Sequence, residues 1–312
     1  MNHFSDRILA MDAGQTGIRS ILIDGENRIE KNFDGLKTHI ELFPQLVSVI
    51  NTALESSALE NAAGPVTVAL GMTGLTDSQS KPVELLRDLN PKANGLLLAH
   101  DSITGFLGAM GLNHGTVTAV GTGVVTLSVG QRNMSRVDGW GNLIGDAGSA
   151  YWIGRKALEA GMRAYDGRGE KTGLLNLLQE NFSHPENAYI ELQTHPDKVA
   201  YIASFAKQVI DLAESDATAR LVVESAGAEL AVSALAAARN TGNLEKDAPL
   251  FTWAGNVMKS ELLRHSFIAG IKSAAPNAVM QKPLGDPIDG VALLPSVPSD
   301  SPLSEKIFTA SR

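Results

Sequence analysis

The sequence predicts an α/β protein built from two similar halves. Short apolar runs that favour strands alternate with segments of helical spacing, an order typical of α/β folds. The chain has 312 residues, a length typical of about two domains. A strand–turn–strand pattern in the first 33 residues returns after Gly111–Gly115. The predicted domains are therefore residues 1–112 and 113–312.

Three strands are predicted at the start of the first half. The apolar run Ile8–Met11 ends at Asp12, Ser20–Ile23 resumes the strand pattern, and a hairpin turn signal precedes Arg28–Phe33. Apolar residues then recur at helical spacing from Leu42 to Leu59. The rest of this half is predicted as strand Pro65–Met72, helix Pro82–Leu89, strand Gly95–Ala99 and helix Ser102–Met110.

The second half repeats this opening and then becomes helical. Strand Thr116–Val120, the turn Gly121–Gly123 and strand Val124–Val129 follow the same layout, and Met134–Val137 is a candidate third strand. Ala/Leu periodicity predicts a helical insertion over about residues 149–240. A late strand Leu250–Ala254, a helix Lys259–Lys272 and a tail Pro283–Arg312 follow. The tail is expected to loop over the surface before a short helix, with its last residues free to pack on the N-terminal domain.

The composition excludes several functional classes. The chain has no cysteine, which excludes disulfides, cysteine-ligated zinc or iron–sulfur clusters, and a cysteine nucleophile. A net charge of −8 argues against a general partner role for nucleic acid or an anionic membrane. No unbroken apolar run approaches the ~18 residues that span a bilayer. Met1–Arg7 lacks the apolar core of a signal peptide, so a cytoplasmic protein is expected.

Glycine is in excess, and part of the excess lies in a polar turn between the first two strands. The chain has 30 glycines, well above the average fraction of about 7%. In the turn that begins Asp12-Ala13-Gly14-Gln15-Thr16, Gly14 and the following Gly17 would let backbone N–H groups face a phosphate, and Thr16 adds a hydroxyl donor. Asp12 could hold the water shell of Mg²⁺. An ordinary glycine-containing hairpin would give the same pattern, and neither a Rossmann nor a P-loop motif is present.

A second hairpin of this kind opens the other half. Gly121-Thr122-Gly123 places a hydroxyl between two glycines at a strand–turn–strand junction. Alone, this pattern also fits an ordinary hairpin. Two such hairpins, one in each half, would together hold a polyphosphate from both sides of a cleft.

Asp101 ends an apolar strand. Carboxylates at the carboxyl ends of sheet strands commonly point into the ligand crevice of open α/β folds. The alternative is a capping role for the helix predicted to begin at Ser102.

The segment Gly139–Ser149 is the most unusual in the chain. Four glycines within ten residues surround Trp140 and Asp146, immediately before a predicted helix. This composition favours a substrate loop, with backbone close to a small polar ligand, Trp140 as a packing wall and Asp146 as a hydroxyl acceptor. The alternative is a structural turn with a buried tryptophan. The histidines show no metal-ligand spacing, and no nucleophile elbow is present.

Together these segments resemble the sugar-kinase/Hsp70/actin ATPase superfamily, and within it the BadF/BadG/BcrA/BcrD-type ATPase family that includes N-acetylglucosamine kinases. The specific element is Gly139–Gly154, which matches the family signature G-W-G-x-x-x-G-D-E-G-S-A-Y-W-I-G. The family's two phosphate motifs match Asp12–Thr16 and Gly121–Gly123, and its catalytic aspartate motif matches His100-Asp101. Its adenosine pattern, G-S-V-x-K-S, looks like Gly255–Ser260.

The resemblance implies two ribonuclease-H-like domains of the actin-like ATPase fold, with ATP and Mg²⁺ in the cleft between them. It implies that Asp101 is the general base that takes the proton of an attacking sugar hydroxyl. The implied ATP-binding residues are Asp12, Gly14, Gln15, Thr16, Gly121, Thr122, Gly123, Gly255, Asn256 and Ser260, with Asp12 also organising the metal. The implied substrate residues are Thr38, His39, Asp101, Gly139, Trp140, Gly141 and Asp146.

Several sugar contacts depart from the family pattern, whereas the catalytic and phosphate motifs are kept. The family's D-E-G-S has alanine at position 147 here. Val124 and Val125 stand where the kinases place Ser and Asn, and the early T-N contact becomes Thr38-His39. The resemblance therefore predicts ATP more specifically than the acceptor, for which N-acetylglucosamine, glucosamine and another small polyol are the candidates.

Two functions from different classes remain open. One is an ATP-dependent sugar kinase, and the other is an ATPase switch that drives a partner protein, as in the reductase and dehydratase activators of the same family. Those activators hold an iron–sulfur cluster through cysteines, which this chain lacks. A non-catalytic sugar sensor would not need Asp101. A homodimer is left open.

Overall fold

The chain divides into two compact units in the computed structural model, which describes residues 4–14, 17–37, 40–55, 64–75 and 80–312. The first unit comprises Met1–Asn113 and Pro283–Arg312, and the second comprises His114–Lys282. The division at Asn113 lies next to the boundary that the sequence places at 112/113. The tail after Pro283 belongs to the first unit.

The secondary-structure elements follow the α/β order along the chain. The strands are β1 Ile8–Ala13, β2 Ile18–Asp24, β3 Asn27–Phe33, β4 Val66–Met72, β5 Ala93–His100, β6 Gly115–Val120, β7 Val124–Val129, β8 Met134–Val137, β9 Leu250–Ala254, β10 Val279–Met280 and β11 Ile307–Ser311. The α-helices of the described residues are Leu42–Leu54, Pro82–Asp88, Asp101–Met110, Ala150–Tyr165, Leu174–Asn181, Ala188–Thr194, Lys198–Ser204, Ala206–Leu212, Ala217–Asn240, Glu261–Ala274 and Pro287–Ala292. Short 3₁₀ helices cover Pro185–Asn187, Asn256–Lys259, Leu294–Ser296 and Ser304–Lys306.

The first unit is built on a six-stranded mixed sheet in the order β11-β5-β4-β1-β2-β3. Strands β1, β2 and β3 pair antiparallel as consecutive hairpins, and β4 and β5 run parallel to β1. Asp12 lies opposite Gly71 of β4, and Met72 of β4 lies opposite His100 of β5. Because these three strands are parallel, their carboxyl ends meet at one edge of the sheet, beside Asp12 and Asp101.

The second unit repeats this layout in a five-stranded sheet in the order β10-β9-β6-β7-β8. Strands β6, β7 and β8 pair antiparallel, and β9 and then β10 run parallel to β6. The repeated strand pattern that the sequence predicts is therefore present: each sheet is a three-stranded antiparallel unit extended by parallel strands. The helices between residues 150 and 240 form the predicted helical insertion between β8 and β9.

Helix Ala217–Asn240 is the central core helix of the second unit. It packs against β6, β7 and β8 and against helix Glu261–Ala274, and it buries Val223, Ala226 and Leu230, among others. Within the described residues it is also the one helix long and apolar enough to cross a membrane, with half of its apolar window buried. The sequence expectation concerned unbroken apolar runs, and this helix does not contradict it, because Arg220, Glu224 and Glu229 interrupt its apolar residues.

The tail differs from its prediction. Instead of a surface loop and a terminal short helix, it forms helix Pro287–Ala292 and the terminal strand β11, which pairs antiparallel with β5. Ile307, Phe308 and Thr309 are residue types that favour a strand. In addition, the predicted helix Leu42–Leu59 ends at Leu54, and residues 56–63 lie outside the described part.

Candidate active site

At the carboxyl edge of the first sheet, two carboxylates from distant parts of the chain raise the pKa of a third, Asp12. Asp12 lies near the end of β1, Asp101 follows β5, and Asp286 precedes helix Pro287–Ala292. Burial, followed by the charge of Asp101, raises the pKa of Asp12 from 3.8 to about 6; Arg19 lowers it and Asp286 raises it further. The sequence predicts the first two carboxylates. It misses Asp286, which carries no motif and arrives through the packing of the tail.

The donors around Asp12 fit a magnesium ion. A carboxylate that is desolvated and flanked by like charges is a position where a divalent cation would be stabilised. Among the described residues no group of three or more His, Cys, Asp or Glu side chains is arranged to hold a metal ion. Mg²⁺ retains waters and commonly uses only one or two carboxylates together with substrate phosphates. Asp12 is therefore suited to hold the ion through its water shell, and its metal role stays a prediction.

Asp101 is the first residue of helix Asp101–Met110, and its carboxylate contacts the ring of the preceding residue, His100. The Asp101 carboxylate Oδ1 lies 2.8 Å from His100 Nδ1, and the Asp101 side chain is 41% exposed. When protonated, Nδ1 donates to Asp101; when unprotonated, it accepts the backbone N–H of Ser102 at 3.1 Å and acts as the helix N-cap. The alternative in which Asp101 caps a helix beginning at Ser102 is wrong, because His100 occupies the cap position.

In the first glycine hairpin, the described backbone closes its own turn. The N–H of Gly14 donates to the carbonyl of Gly17 at 3.1 Å, and the Gly14 carbonyl accepts the N–H of Leu36 at 2.9 Å. The expectation that the Gly14 N–H faces a phosphate is therefore wrong. Four other predicted site residues, Gln15, Thr16, Thr38 and His39, lie outside the described residues.

The second hairpin is anchored on the start of helix Ala150–Tyr165. The N–H of Gly121 donates to the Gly123 carbonyl at 2.8 Å and closes the turn. The carbonyls of Gly121 and Thr122 accept the N–H groups of Ala150 and Tyr151 at 3.0 and 3.1 Å. These bonds fix the hairpin and leave Thr122 exposed at its tip.

Gly255 places the predicted adenosine turn against the strand end that precedes the Gly121–Gly123 hairpin. Its φ is +95°, and a Cβ there would run into the carbonyl oxygen of Val120, the residue before the hairpin. Only glycine fits such a close backbone approach at positive φ. Asn256 begins the 3₁₀ helix that follows, and Ser260 Oγ accepts the N–H of Leu263 at 3.4 Å as a helix cap. The ATP contact assigned to Ser260 stays a prediction.

Asp146 joins the loop Gly139–Ser149 to the second hairpin. Its carboxylate Oδ1 accepts the N–H of Val124 at 3.3 Å, and a Cβ on Gly123 would lie 2.8 Å from its Oδ2. Asp146 is 8% exposed and has a φ of +59°. Burial raises its pKa; the Val124 N–H lowers it, the charge of Asp138 raises it further, and Arg136 lowers it.

Trp140 stands out from the loop rather than in the core. It is 61% exposed, so the alternative reading of a turn around a buried tryptophan is wrong. Arg136, at the end of β8, holds this part of the loop: its guanidinium donates to the Gly139 carbonyl at 2.7 Å and lies 5.3 Å above the Trp140 ring. Gly139 and Gly141 both have positive φ, which explains the glycines on either side of the ring.

The two mixed sheets, each a three-stranded antiparallel unit extended by parallel strands, define the actin-like fold class. A candidate N-acetylglucosamine kinase from Chromobacterium violaceum has this fold; its structure superposes with a TM-score of 0.70 over 92% of this chain and 98% of that chain, at 24% identity. The predicted fold class is confirmed. The chain belongs to the BadF/BadG/BcrA/BcrD ATPase family, whose sequence pattern matches residues 9–294, and this confirms the resemblance.

Two curated relatives carry named activities. An N-acetylmuramic acid/N-acetylglucosamine kinase from Clostridium acetobutylicum is 28% identical over 138 residues, which cover 43% of this chain and 42% of that protein. An N-acetyl-D-glucosamine kinase from Dictyostelium discoideum is 27% identical over 238 residues, or 73% of this chain and 74% of that protein. The match to the Clostridium kinase thus spans less than half of its length.

Proposed function

We propose that the protein is an ATP-dependent kinase that phosphorylates a hydroxyl of a small sugar, with N-acetylglucosamine or glucosamine as the substrate. The observation that carries the proposal is the contact of Asp146 with Gly123 and Val124. Through it, the loop suited to a polyhydroxyl ligand lies against the hairpin suited to phosphate. A sugar kinase needs both a site for the sugar and a site for the phosphates, whereas a simple ATPase needs only the phosphate site. Family membership and the named activities of the two relatives support the same function.

The proposal gives Asp101 the role of general base. Its exposed carboxylate takes the proton of the sugar hydroxyl as that oxygen attacks the γ-phosphorus of ATP, and ADP leaves. When His100 Nδ1 carries a proton, its contact with Oδ1 orients the Asp101 carboxylate and leaves Oδ2 to accept the proton of the hydroxyl. Mg²⁺, when bound near Asp12, would neutralise phosphate charge. Catalysis then rests on position and charge, since phosphoryl transfer needs little covalent chemistry from the protein.

In this proposal the loop Gly139–Ser149 binds the sugar. Asp146 accepts hydroxyl protons, and the exposed Trp140 ring offers an apolar surface to the ring carbons of the sugar. Val124, which stands where the kinases place a serine, is 4% exposed and packs in the core of the second unit. That position therefore contributes packing rather than a polar sugar contact. A cytoplasmic location and a homodimer stay predictions.

A coupled ADP-release screen tests the proposal. The purified protein is assayed with ATP and Mg²⁺ over amino sugars, their N-acetyl forms and neutral hexoses. The proposal expects ADP release to depend on N-acetylglucosamine or glucosamine. ADP release that no sugar stimulates would contradict it and favour the ATPase switch.

A further inference from the structure

We propose that Asp138 is the positioning residue that holds the loop Gly139–Ser149 in the conformation that binds the acceptor. The proposal rests on the proposed sugar-kinase function. Asp138 follows β8 and is 9% exposed, although its side chain is an ionisable carboxylate. No motif in the sequence marks it, and it has no assigned role in the proposed reaction.

The carboxylate of Asp138 ties the two ends of the loop together. Its Oδ1 accepts the N–H of Gly139 at 2.8 Å and the N–H of Asp146 at 2.7 Å. Its Oδ2 accepts the N–H of Ala147 at 3.1 Å. Three backbone donors thus converge on one side chain, and hydrogen bonds to an ionised acceptor are among the stronger ones in proteins. The backbone position of Asp146, and with it the direction of its side chain, depends on this contact.

The loop is shaped around this carboxylate. A Cβ on Gly145 would lie 2.6 Å from Asp138 Oδ1 and 2.9 Å from Trp140 Cβ, so the loop can close on the carboxylate only with glycine there. Within the described residues, Asp138 and Asp146 are also the two non-glycine positions with positive φ, at +60° and +59°. Such backbone conformations carry a cost and persist where surrounding contacts hold them. Here the contacts that hold them are the three N–H donors.

Asp138 also bears on a departure from the family signature. The signature has a glutamate where this chain has Ala147. The N–H of Ala147 is bound by Asp138, so a carboxylate still lies beside this position, supplied from nine residues earlier in the chain. The charge of Asp138 also reaches Asp146, whose pKa is raised first by burial and further by Asp138. One carboxylate within the loop and one immediately before it therefore lie at this position, although the glutamate of the motif is missing.

Two substitutions separate the carboxylate from the backbone strain. Asp138→Gly removes all three acceptor contacts and relieves the positive φ, so a loss cannot be due to added strain. Asparagine tolerates positive φ, so Asp138→Asn adds little backbone strain. It keeps one acceptor oxygen but places an amide NH₂ opposite the Ala147 N–H, so that hydrogen bond is lost. Asp166→Asn is the matched control, because the exposed Asp166 also accepts a backbone N–H, from Arg168 at 3.2 Å.

Steady-state kinetics give the first readout. In the sugar-dependent assay, Asp138→Gly is expected to raise the sugar KM by about tenfold to a hundredfold, the size expected when hydrogen bonds to an ionised acceptor that hold the binding conformation are lost. The ATP KM should stay within about twofold, since the Gly121–Gly123 hairpin keeps its own hydrogen bonds. Asp138→Asn should fall between Asp138→Gly and the wild type, and Asp166→Asn should match the wild type.

Amide hydrogen exchange without ligand gives a readout that does not depend on turnover. Protection at Gly139, Asp146 and Ala147 is expected to fall by at least about tenfold in Asp138→Gly, with core amides unchanged. Unchanged protection at these amides, or an unchanged sugar KM beside normal turnover, would overturn the positioning role. If Asp138→Gly does not fold, Asp138→Asn decides by the same two criteria. If the wild type shows no sugar-dependent turnover, the proposed function fails, while exchange still decides whether Asp138 orders the loop.

Discussion

Replacing Asp12 with asparagine should make the first unit more stable at alkaline pH. Burial and the charge of Asp101 raise the pKa of Asp12 from 3.8 to about 6. Since each pKa unit corresponds to about 1.36 kcal/mol, the ionised carboxylate costs roughly 3 kcal/mol of unfolding free energy at pH 8. Asp12→Asn keeps the shape of the side chain and removes that cost.

The sign of the pH dependence follows from proton binding. Between about pH 4 and pH 6 the folded state of the wild type binds more protons than the unfolded state, so its stability falls as pH rises. Below that range the carboxyl is protonated in both states and costs nothing. The gain from Asp12→Asn should therefore be about 1 kcal/mol at pH 4.5 and grow to roughly 3 kcal/mol at pH 8.

Urea unfolding at the two pH values measures this gain. The transition is followed by hydrogen exchange at amides of the first unit, because the two units need not unfold together. Asp34→Asn, an exposed carboxylate in the same unit, serves as the control and should show little change. A gain that is the same at pH 4.5 and pH 8, or no gain at pH 8, would refute the reasoning. Added Mg²⁺ should stabilise the wild type more than Asp12→Asn.

Three further substitutions test the remaining site residues. Asp101→Asn should lower phosphoryl transfer by at least about a hundredfold while ATP affinity by calorimetry stays unchanged, and substantial retained turnover would remove the role of base. Asp146→Ala should raise the sugar KM with little change in ATP affinity, and an unchanged sugar KM would exclude Asp146 from the sugar site. Gly255→Ala should lower the Tm and raise the ATP KM, because its Cβ meets the Val120 carbonyl. Gly167→Ala is the control, because Gly167 also has a positive φ, +78°, but has open space around it. It measures the cost of an alanine at positive φ without a clash. An equal fall in Tm in the two variants would show that the clash with Val120 is not the cause.

The sequence could predict the parts of the fold and site that are encoded locally. Strand–turn–strand patterns with glycine and threonine mark both hairpins, and Asp101 follows His100 at the end of an apolar run. The segment Gly139–Ser149 carries enough glycine around a single tryptophan and carboxylate to be recognised as a loop with a ligand role. Such signals need only neighbouring residues, so one sequence is sufficient to read them.

The missed features depend on contacts between distant residues. Asp286 raises the pKa of Asp12 only because the tail packs in the first unit. Strand β11 forms because the edge of β5 is available for pairing. Asp138 and Arg136 support the loop through backbone groups, which any sequence offers and no motif records. The role of the Gly14 N–H was wrongly predicted for a related reason: glycine permits a turn, but the turn itself decides where the N–H points.

Transfer of a labelled phosphate shows directly whether the protein phosphorylates a sugar. The protein is incubated with ATP labelled in its γ-phosphate, Mg²⁺ and N-acetylglucosamine or glucosamine, and the label is located by chromatography. For a sugar kinase, the label is expected to move to the sugar, with one ADP formed for each sugar phosphate. Label that appears only as inorganic phosphate, at a rate independent of sugar, would contradict the account and identify an ATPase without a sugar acceptor.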